Sequence, residues 1–406
     1  MSKSLVLMFV LAFALALAPL LTASVTGTPA QETTDETTAS PEAVAEPEQG
    51  ETVAKPPAPD VAARSWALVD LRSGEYLAGE SASKKLPMAS TTKIMVALVA
   101  LEEADLDEKV VVSEKAASFA RPIYSNVGLL AGDELSVRDL LKATLISSGD
   151  DAVYALAEHL GGGDAQRFIE EMNREAKEMG LKETHFENPS GLDARGHHSS
   201  ARDLATMTRS AMKYPLFREM VGTSYAAIYT QDREIPLTNT NDLLATYPPT
   251  TGVKTGTTPA AGSSLVASAA AGNEAYVAVF LDSQEDRFAA AVRTLEHGFT
   301  TYDREALVKG GDRYAKADVP YRRGEKVPLV AKEDIEGLVY DGSDVEREPK
   351  VMRELPDSAR RGTKLGEIEV RVDGERVGEA ALVARKGYEE ASIWQRLWYT
   401  VEGIFE

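Results

Sequence analysis

The sequence predicts an α/β protein of the α+β kind. It has an antiparallel sheet with a helical cluster inserted in it, then a small all-β domain and a C-terminal amphipathic helix. Three observations predict this. Strand-like segments open the folded region and return only after a long helical interval, so one sheet is completed from both ends. Helical periodicity fills that interval. After Tyr302, short apolar stretches alternate with charged turns, the spacing of a separate β domain.

The chain begins with Lys3 ahead of a nearly unbroken apolar run from Leu5 to Leu21, followed by small residues at Ala23, Ser24 and Gly27. That order is a secretory signal's. The run is long for a cleaved signal and short for a comfortable span, so residues 1–27 read as a signal peptide or a retained anchor. Either reading predicts export to the extracytoplasmic face of the membrane or to the cell wall. Residues 28–60 are rich in Pro, Ala, Thr and Glu and nearly devoid of large apolar side chains. They cannot offset their chain entropy by burial and are expected to form a solvated linker.

A folded domain is expected over 61–303. Ser65 to Glu80 reads as a β-hairpin turning at Arg72-Ser73-Gly74. Ile94 to Leu101 is apolar almost throughout, as in a buried helix. Leu135 to Ile146 and Ala152 to Leu160 read as helices broken at Ser147-Ser148-Gly149, and Phe168 to Met179 carries its apolar residues on one face. Asn188-Pro189-Ser190-Gly191 is a turn ahead of a helix around Leu204 to Met212. Strands are expected at Gly252 to Thr255, Ser264 to Ala269 and Ala275 to Leu281. A β-rich domain over 304–388 follows, with apolar stretches at 327–330, 337–340, 365–372 and 380–384. Over 389–406, Ile393, Trp394, Leu397, Trp398, Val401, Ile404 and Phe405 share a helical face, which suits either a membrane interface or packing against the β domain.

Composition narrows the function. The net charge of -20 argues against nucleic acid as a partner, since its binders present basic faces to phosphate. The absence of cysteine removes disulfides, thiolate catalysis and cysteine-ligated zinc. His159, His185, His197, His198 and His297 show no metal-binding spacing, and His197-His198 reads as part of a polar turn. No Gly-rich phosphate loop follows a strand. No metal or cofactor is expected.

A serine three residues before a lysine on a helix puts both side chains on one face, where the lysine can take the hydroxyl proton if its pKa is depressed. The pattern occurs at Ser81/Lys84, Ser90/Lys93 and Ser210/Lys213. Only Ser90 stands at the start of a helix, directly before a buried run. A helix-capping serine would fit the same position. Lys254-Thr255-Gly256, unique in the chain, lies in an expected strand, where the lysine offers a fixed cation and the glycine lets a substrate backbone approach. Between them, Ser148-Gly149-Asp150 sits in a helix break, where Ser148 suits either a proton relay or a cap.

Three such elements in this order match the pattern of penicillin-binding proteins and class A β-lactamases. The stretches PMASTTKIM, GDELSVRDLLKATLISSGDDA, NPSGLDARGHHSSARDLA, TNTNDLL and GVKTGTTPAAGSSLVASA resemble the D-alanyl-D-alanine carboxypeptidases, the low-molecular-mass penicillin-binding proteins. The similarity covers about Ala62 to Tyr302, and the remainder resembles that family's β-rich C-terminal domain. It implies a β-lactamase/transpeptidase-like fold and a role in peptidoglycan metabolism and cell-wall organisation. The implied partners are a stem peptide ending in D-Ala-D-Ala, as substrate, and β-lactams, as inhibitors. Ser90 would attack the terminal peptide bond with Lys93 as base, and Ser148 would relay the proton. Lys254 would support the electrostatics, Thr255 would hold the substrate carboxylate, and Gly256 would let the substrate backbone bind against the strand. The backbone N–H groups of Ser90 and Thr257 would form an oxyanion hole. Arg287 stands where the family places a carboxylate-binding arginine, eleven residues before Gly298-Phe299; its alternative is a surface arginine beside Asp286.

One departure matters. Asp150 replaces the asparagine usual in the family, and a carboxylate cannot donate to a substrate carbonyl. It would favour the charged form of whichever lysine it pairs with. The expectation is a retuned site. Tyr124-Ser125-Asn126 is a rival polar triplet in a loop. The alternatives to a carboxypeptidase are a β-lactamase, which the trailing β domain disfavours, and a catalytically impaired cell-wall binding protein.

Overall fold

The computed structural model describes residues 56–402. The expected signal or anchor at 1–27, most of the linker, and Ile404 and Phe405 lie outside the described residues.

The hairpin forms from β1 (Ala63–Asp70) and β2 (Tyr76–Glu80), closed by Gly74 in the left-handed region at φ +84. A 3₁₀ turn, Ala89–Thr92, leads into α1 (Lys93–Glu103), which is buried from Lys93 to Ala100. The short strands β3 (Lys109–Val111) and β4 (Glu134–Ser136) pair across a loop carrying α2 (Glu114–Ala117). The helices α3 (Val137–Leu145) and α4 (Asp150–Leu160) separate at Ser147-Ser148-Gly149, and α5 (Ala165–Glu178) and α6 (Ala201–Ala211) complete the cluster. Polar side chains start three of these helices: Ser136, Asp164 and Ser200 accept from backbone N–H groups in the first turns of α3, α5 and α6.

A helix, α7 (Pro215–Val221), and a hairpin of β5 (Tyr225–Tyr229) and β6 (Glu234–Thr238) follow. After α8 (Leu243–Thr246) come β7 (Thr250–Thr258), β8 (Gly262–Ala271), β9 (Glu274–Ser283) and α9 (Arg287–Thr301). The main sheet is antiparallel in the order β2-β1-β9-β8-β7, so the first hairpin pairs with strands from after the helical cluster. Both faces are covered. One buries Val69, Val253, Val266 and Val279 against the helical cluster; the other buries Trp66, Leu68, Tyr276 and Phe280 beneath α9.

The C-terminal part consists of β10 (Asp303–Val308), β11 (Arg313–Asp318), β12 (Lys326–Ala331), β13 (Ile335–Val339), β14 (Val345–Val351), β15 (Lys364–Val372) and β16 (Glu375–Ala384), ending in α10 (Ile393–Glu402). Five of the strands form a sheet in the order β11-β12-β16-β15-β14, over a core that includes Leu329, Leu365, Ile368, Val370 and Leu382. β10 pairs with β13, and Leu338 and Tyr340 enter the outer core of the main sheet. Tyr399 of α10 meets Tyr321 edge-on, whereas Ile393, Trp394 and Trp398 stand 74%, 81% and 67% exposed. No helix among the described residues is long and apolar enough to cross a membrane.

Candidate active site

The turn holding Ser90 is wound by its own threonines. Thr91 Oγ1 donates to the Met88 carbonyl at 2.7 Å and Thr92 Oγ1 to that of Ala89 at 2.8 Å. Ala89 is held at φ +49, an uncommon conformation for a residue with a Cβ. Of the four turn residues, Ser90 alone is not buried. It makes no capping hydrogen bond, so the helix-cap reading falls.

One turn on, the fully buried Lys93 lies with its Nζ 3.0 Å from Ser90 Oγ, 3.0 Å from the Ser148 carbonyl, 3.3 Å from Ser148 Oγ and 2.6 Å from Asp150 Oδ1. Ser148 is presented at φ +59, and Gly149, not Ser148, occupies the N-cap of α4. Between the two lysines, Asp150 is therefore the partner of Lys93. Burial pulls the Lys93 pKa down and the Asp150 charge pushes it up; burial wins. The geometry suits a neutral amine. Two N–H donors can serve Asp150 and the Ser148 carbonyl, leaving the lone pair for the Ser90 hydroxyl.

β7 forms the opposite wall. Lys254 is buried, donates to the Thr255 carbonyl at 3.1 Å, and is held well below the usual lysine range by burial and then by the charge of Lys93. Thr255 Oγ1 meets Thr240 Oγ1 at 2.6 Å, and Thr257 is exposed at the strand end. A Cβ on Gly256 would lie 3.0 Å from each of Ala89 Cβ, the Met88 carbonyl and Ser90 N. The backbone lying against this glycine is that of the Ser90 turn, where a substrate backbone was expected. Arg287 Nη1 donates to Thr257 Oγ1 and to the Gly256 and Ser264 carbonyls, each at 3.1 Å. It is no surface arginine paired to Asp286, whose carboxylate instead caps α9.

Several neighbours escaped sequence reasoning. The Ser190 carbonyl lies 3.4 Å from Ser90 Oγ, in a turn held by Asn188 Oδ1, which accepts from Ser190 Oγ, Gly191 N and Leu192 N. The turn presses so close that a Cβ on Gly191 would fall 1.9 Å from the Ala89 carbonyl oxygen. Asp193 ties the same loop to β7 by accepting from Thr258 Oγ1 at 2.5 Å. His197, expected in a polar turn, is buried. Its Nδ1 accepts from Glu187 N at 3.0 Å, which puts the proton on Nε2, 2.9 Å from Thr92 Oγ1. Burial brings its pKa down to about 4, so a neutral imidazole braces the turn from behind. The signal that was available lay in the loop motif itself, NPSGLD, whose proline and glycine announce a fixed turn but not its neighbour. The rival triplet lies beside α4, with the Ser125 carbonyl accepting from Asp150 N at 2.7 Å, while Asn126 bonds within its own loop. Among the described residues no cluster of three His, Cys, Asp or Glu could hold a metal ion.

Comparison with known proteins gives the family. Residues 51–285 match the family described as D-alanyl-D-alanine carboxypeptidase, and residues 302–390 match the penicillin-binding protein 5 C-terminal domain. The carboxypeptidase DacF of Bacillus subtilis is 35% identical over 343 residues, covering 82% of this chain and 87% of that protein. DacC of Escherichia coli is 32% identical, covering 84% and 88%. Among solved structures, penicillin-binding protein 5 of Haemophilus influenzae superposes with a TM-score of 0.67 at 28% identity, covering 82% of this chain and 99% of that one.

Proposed function

This chain belongs to the D-alanyl-D-alanine carboxypeptidase family, and from that premise we propose that Ser90 carries its reaction, with Lys93 as general base and Ser148 as proton relay. The protein is a serine-type, penicillin-binding carboxypeptidase acting on peptidoglycan peptides. Ser90 Oγ attacks the carbonyl of the terminal D-Ala-D-Ala bond while its proton passes to Lys93 Nζ. The charge that develops on the carbonyl oxygen is met by the backbone N–H groups of Ser90 and Thr257. Collapse breaks the C–N bond, and the proton reaches the departing D-alanine amine through Ser148 Oγ. Water then releases the acyl group from Ser90. Lys254, Thr255 and Arg287 hold the substrate's terminal carboxylate, arginine being suited to oxyanions by its planar fork. A β-lactam acylates Ser90 by the same attack, opening its ring.

The observation that carries this reading is the buried Lys93 nitrogen, 3.0 Å from Ser90 Oγ and 3.3 Å from Ser148 Oγ. The test pairs labelled penicillin with D-alanine release from a pentapeptide. The parent labels once, at Ser90, and releases D-alanine. Ser90→Ala neither labels nor turns over, a loss of roughly a thousandfold or more, as expected for removing a nucleophile. Labelling that survives Ser90→Ala sinks the assignment. Rapid penicillin turnover without D-alanine release points to a β-lactamase instead.

The enzyme works outside the cytoplasm, and α10 rests on a membrane surface. The order of charge, apolar run and small residues at 1–27 supports export. The exposed Ile393, Trp394, Leu397 and Trp398 support the membrane contact, since indole rings favour the interfacial layer.

A further inference from the structure

At the end of β7 opposite to Thr257, where Thr250 begins the strand, a cavity of ≈ 670 Å³ opens between the main sheet and the C-terminal ends of α6 and α7. Arg72, Arg209, Lys213 and Arg218 line it, and no carboxylate does. This runs against the composition of the chain, in which 64 acidic side chains outnumber 44 basic ones. Arg209 donates only to carbonyls, those of Leu71 at 3.2 Å and Arg72 at 2.7 Å. Arg218 likewise spends Nη1 on the carbonyls of Met212 and Lys213 at 2.6 and 3.1 Å. Neither guanidinium is neutralised, and each keeps N–H groups without an acceptor among the described residues. The side chains of Arg72 and Lys213 are exposed and have no partner there at all. A cleft lined by one sign of charge concentrates counter-ions.

We propose that this cavity binds a phosphate-bearing organic anion. A single carboxylate would leave most of the four positive charges unmatched. A phosphate ester brings up to two negative charges and several acceptor oxygens, which suit the forks of three arginines. Leu71, Met212, Ala270 and Ala275 give the cavity an apolar wall for the organic part of the ligand. Thr250, also in the lining, has a buried hydroxyl with no hydrogen-bond partner among the described residues. The volume lies within the range of roughly 300–1,000 Å³ usual for small-ligand sites. The phosphate can belong to a soluble monoester or to a repeating phosphodiester chain; the shared chemistry is the same.

The test titrates the full chain by calorimetry with inorganic phosphate, glycerol 3-phosphate and oligomeric poly(glycerol phosphate). At least one probe binds saturably and loses at least about tenfold in affinity when NaCl rises from about 20 to 200 mM, because screening acts directly on exposed cations. The Arg72→Gln/Lys213→Gln variant binds at least tenfold more weakly. Its covalent labelling by penicillin stays at the parent level, which shows that its fold is intact. Tighter binding of the oligomer, counted per phosphate, assigns a polyanionic chain; equal binding assigns a monoester. Absence of saturable binding of all three probes overturns the proposal, as does binding that the double variant leaves unchanged.

Discussion

Asp150 decides how Lys93 is poised. Burial depresses the lysine pKa while the carboxylate at 2.6 Å opposes that, so removing the charge must lower the pKa further. With Lys93 as the proposed base, acting as a neutral amine, acylation is expected to rise with pH as Lys93 loses its proton. In Asp150→Asn the acid limb of the acylation profile moves to lower pH, and at the foot of that limb the rate rises several-fold. Second-order labelling rates with penicillin across the pH range measure it. A limb that stays put, or moves upward, means that Asp150 does not set the Lys93 pKa. Ser90 and Lys93 were legible in the sequence because a helix converts three-residue spacing into contact. The choice of Asp150 between two lysines was not, since that depends on the distance between α4 and two separate elements. His197 was illegible for a related reason. Its burial and neutrality arise from Thr92 and Glu187, and nothing beside it in the chain marks either contact.

Among elements, those with a branched or aromatic face announced themselves, as α5 and the strands β7 to β9 did. α9 did not, because it buries Ala290, Ala291, Thr294, Leu295 and Gly298, a face of mostly small residues with little hydrophobic contrast. That smallness has a use: a Cβ on Gly298 would lie 2.9 Å from the Tyr276 ring, so the glycine lets α9 ride close on the sheet. The hairpin β5–β6 was hidden by Pro236, a residue that argues against a strand except at an edge, where this one lies. α10 was legible as an amphipathic helix, with its environment open. Its polar side is engaged, Arg396 pairing with Asp357 and Glu390, and its Trp face is exposed. Trp394→Ala/Trp398→Ala should therefore fold as the parent does, yet lose at least about tenfold in partitioning onto anionic lipid vesicles, since each large side chain removed from water contributes about 1.5–3 kcal/mol. Co-sedimentation of the full chain with vesicles reads this directly. Equal partitioning of parent and variant ends the membrane reading of α10.

At the scale of the whole molecule, the catalytic sheet and the β-rich part share more than a linker. Tyr302, Leu338 and Tyr340 are buried in the same cluster as Trp66 and Phe280, with the Tyr302 and Tyr340 rings edge-to-face at 6.2 Å. Arg304 at the start of β10 ion-pairs with Asp70 at the end of β1, with their side chains 5% and 0% exposed. Asp70 also accepts from the Ser73 backbone N–H and hydroxyl, so the hairpin turn holds its carboxylate in place. Breaking a buried pair by deleting one partner leaves the other charge stranded in the interior, at a cost of about 3–5 kcal/mol. Arg304→Leu is thus expected to lower stability by about that amount in urea denaturation. Because the pair and the aromatic cluster join both parts, the loss should reach the catalytic sheet. Trp66, the one tryptophan in the main sheet, would report it by fluorescence at the same urea concentration as far-UV circular dichroism reports the loss of the β strands. Asp70→Asn in the Arg304→Leu background should recover part of the stability, because a neutral amide is cheaper to leave unpaired than a carboxylate. Two separate transitions, with the Trp66 signal at its parental midpoint, would show that the β-rich part folds apart from the sheet and that the buried pair couples nothing across it.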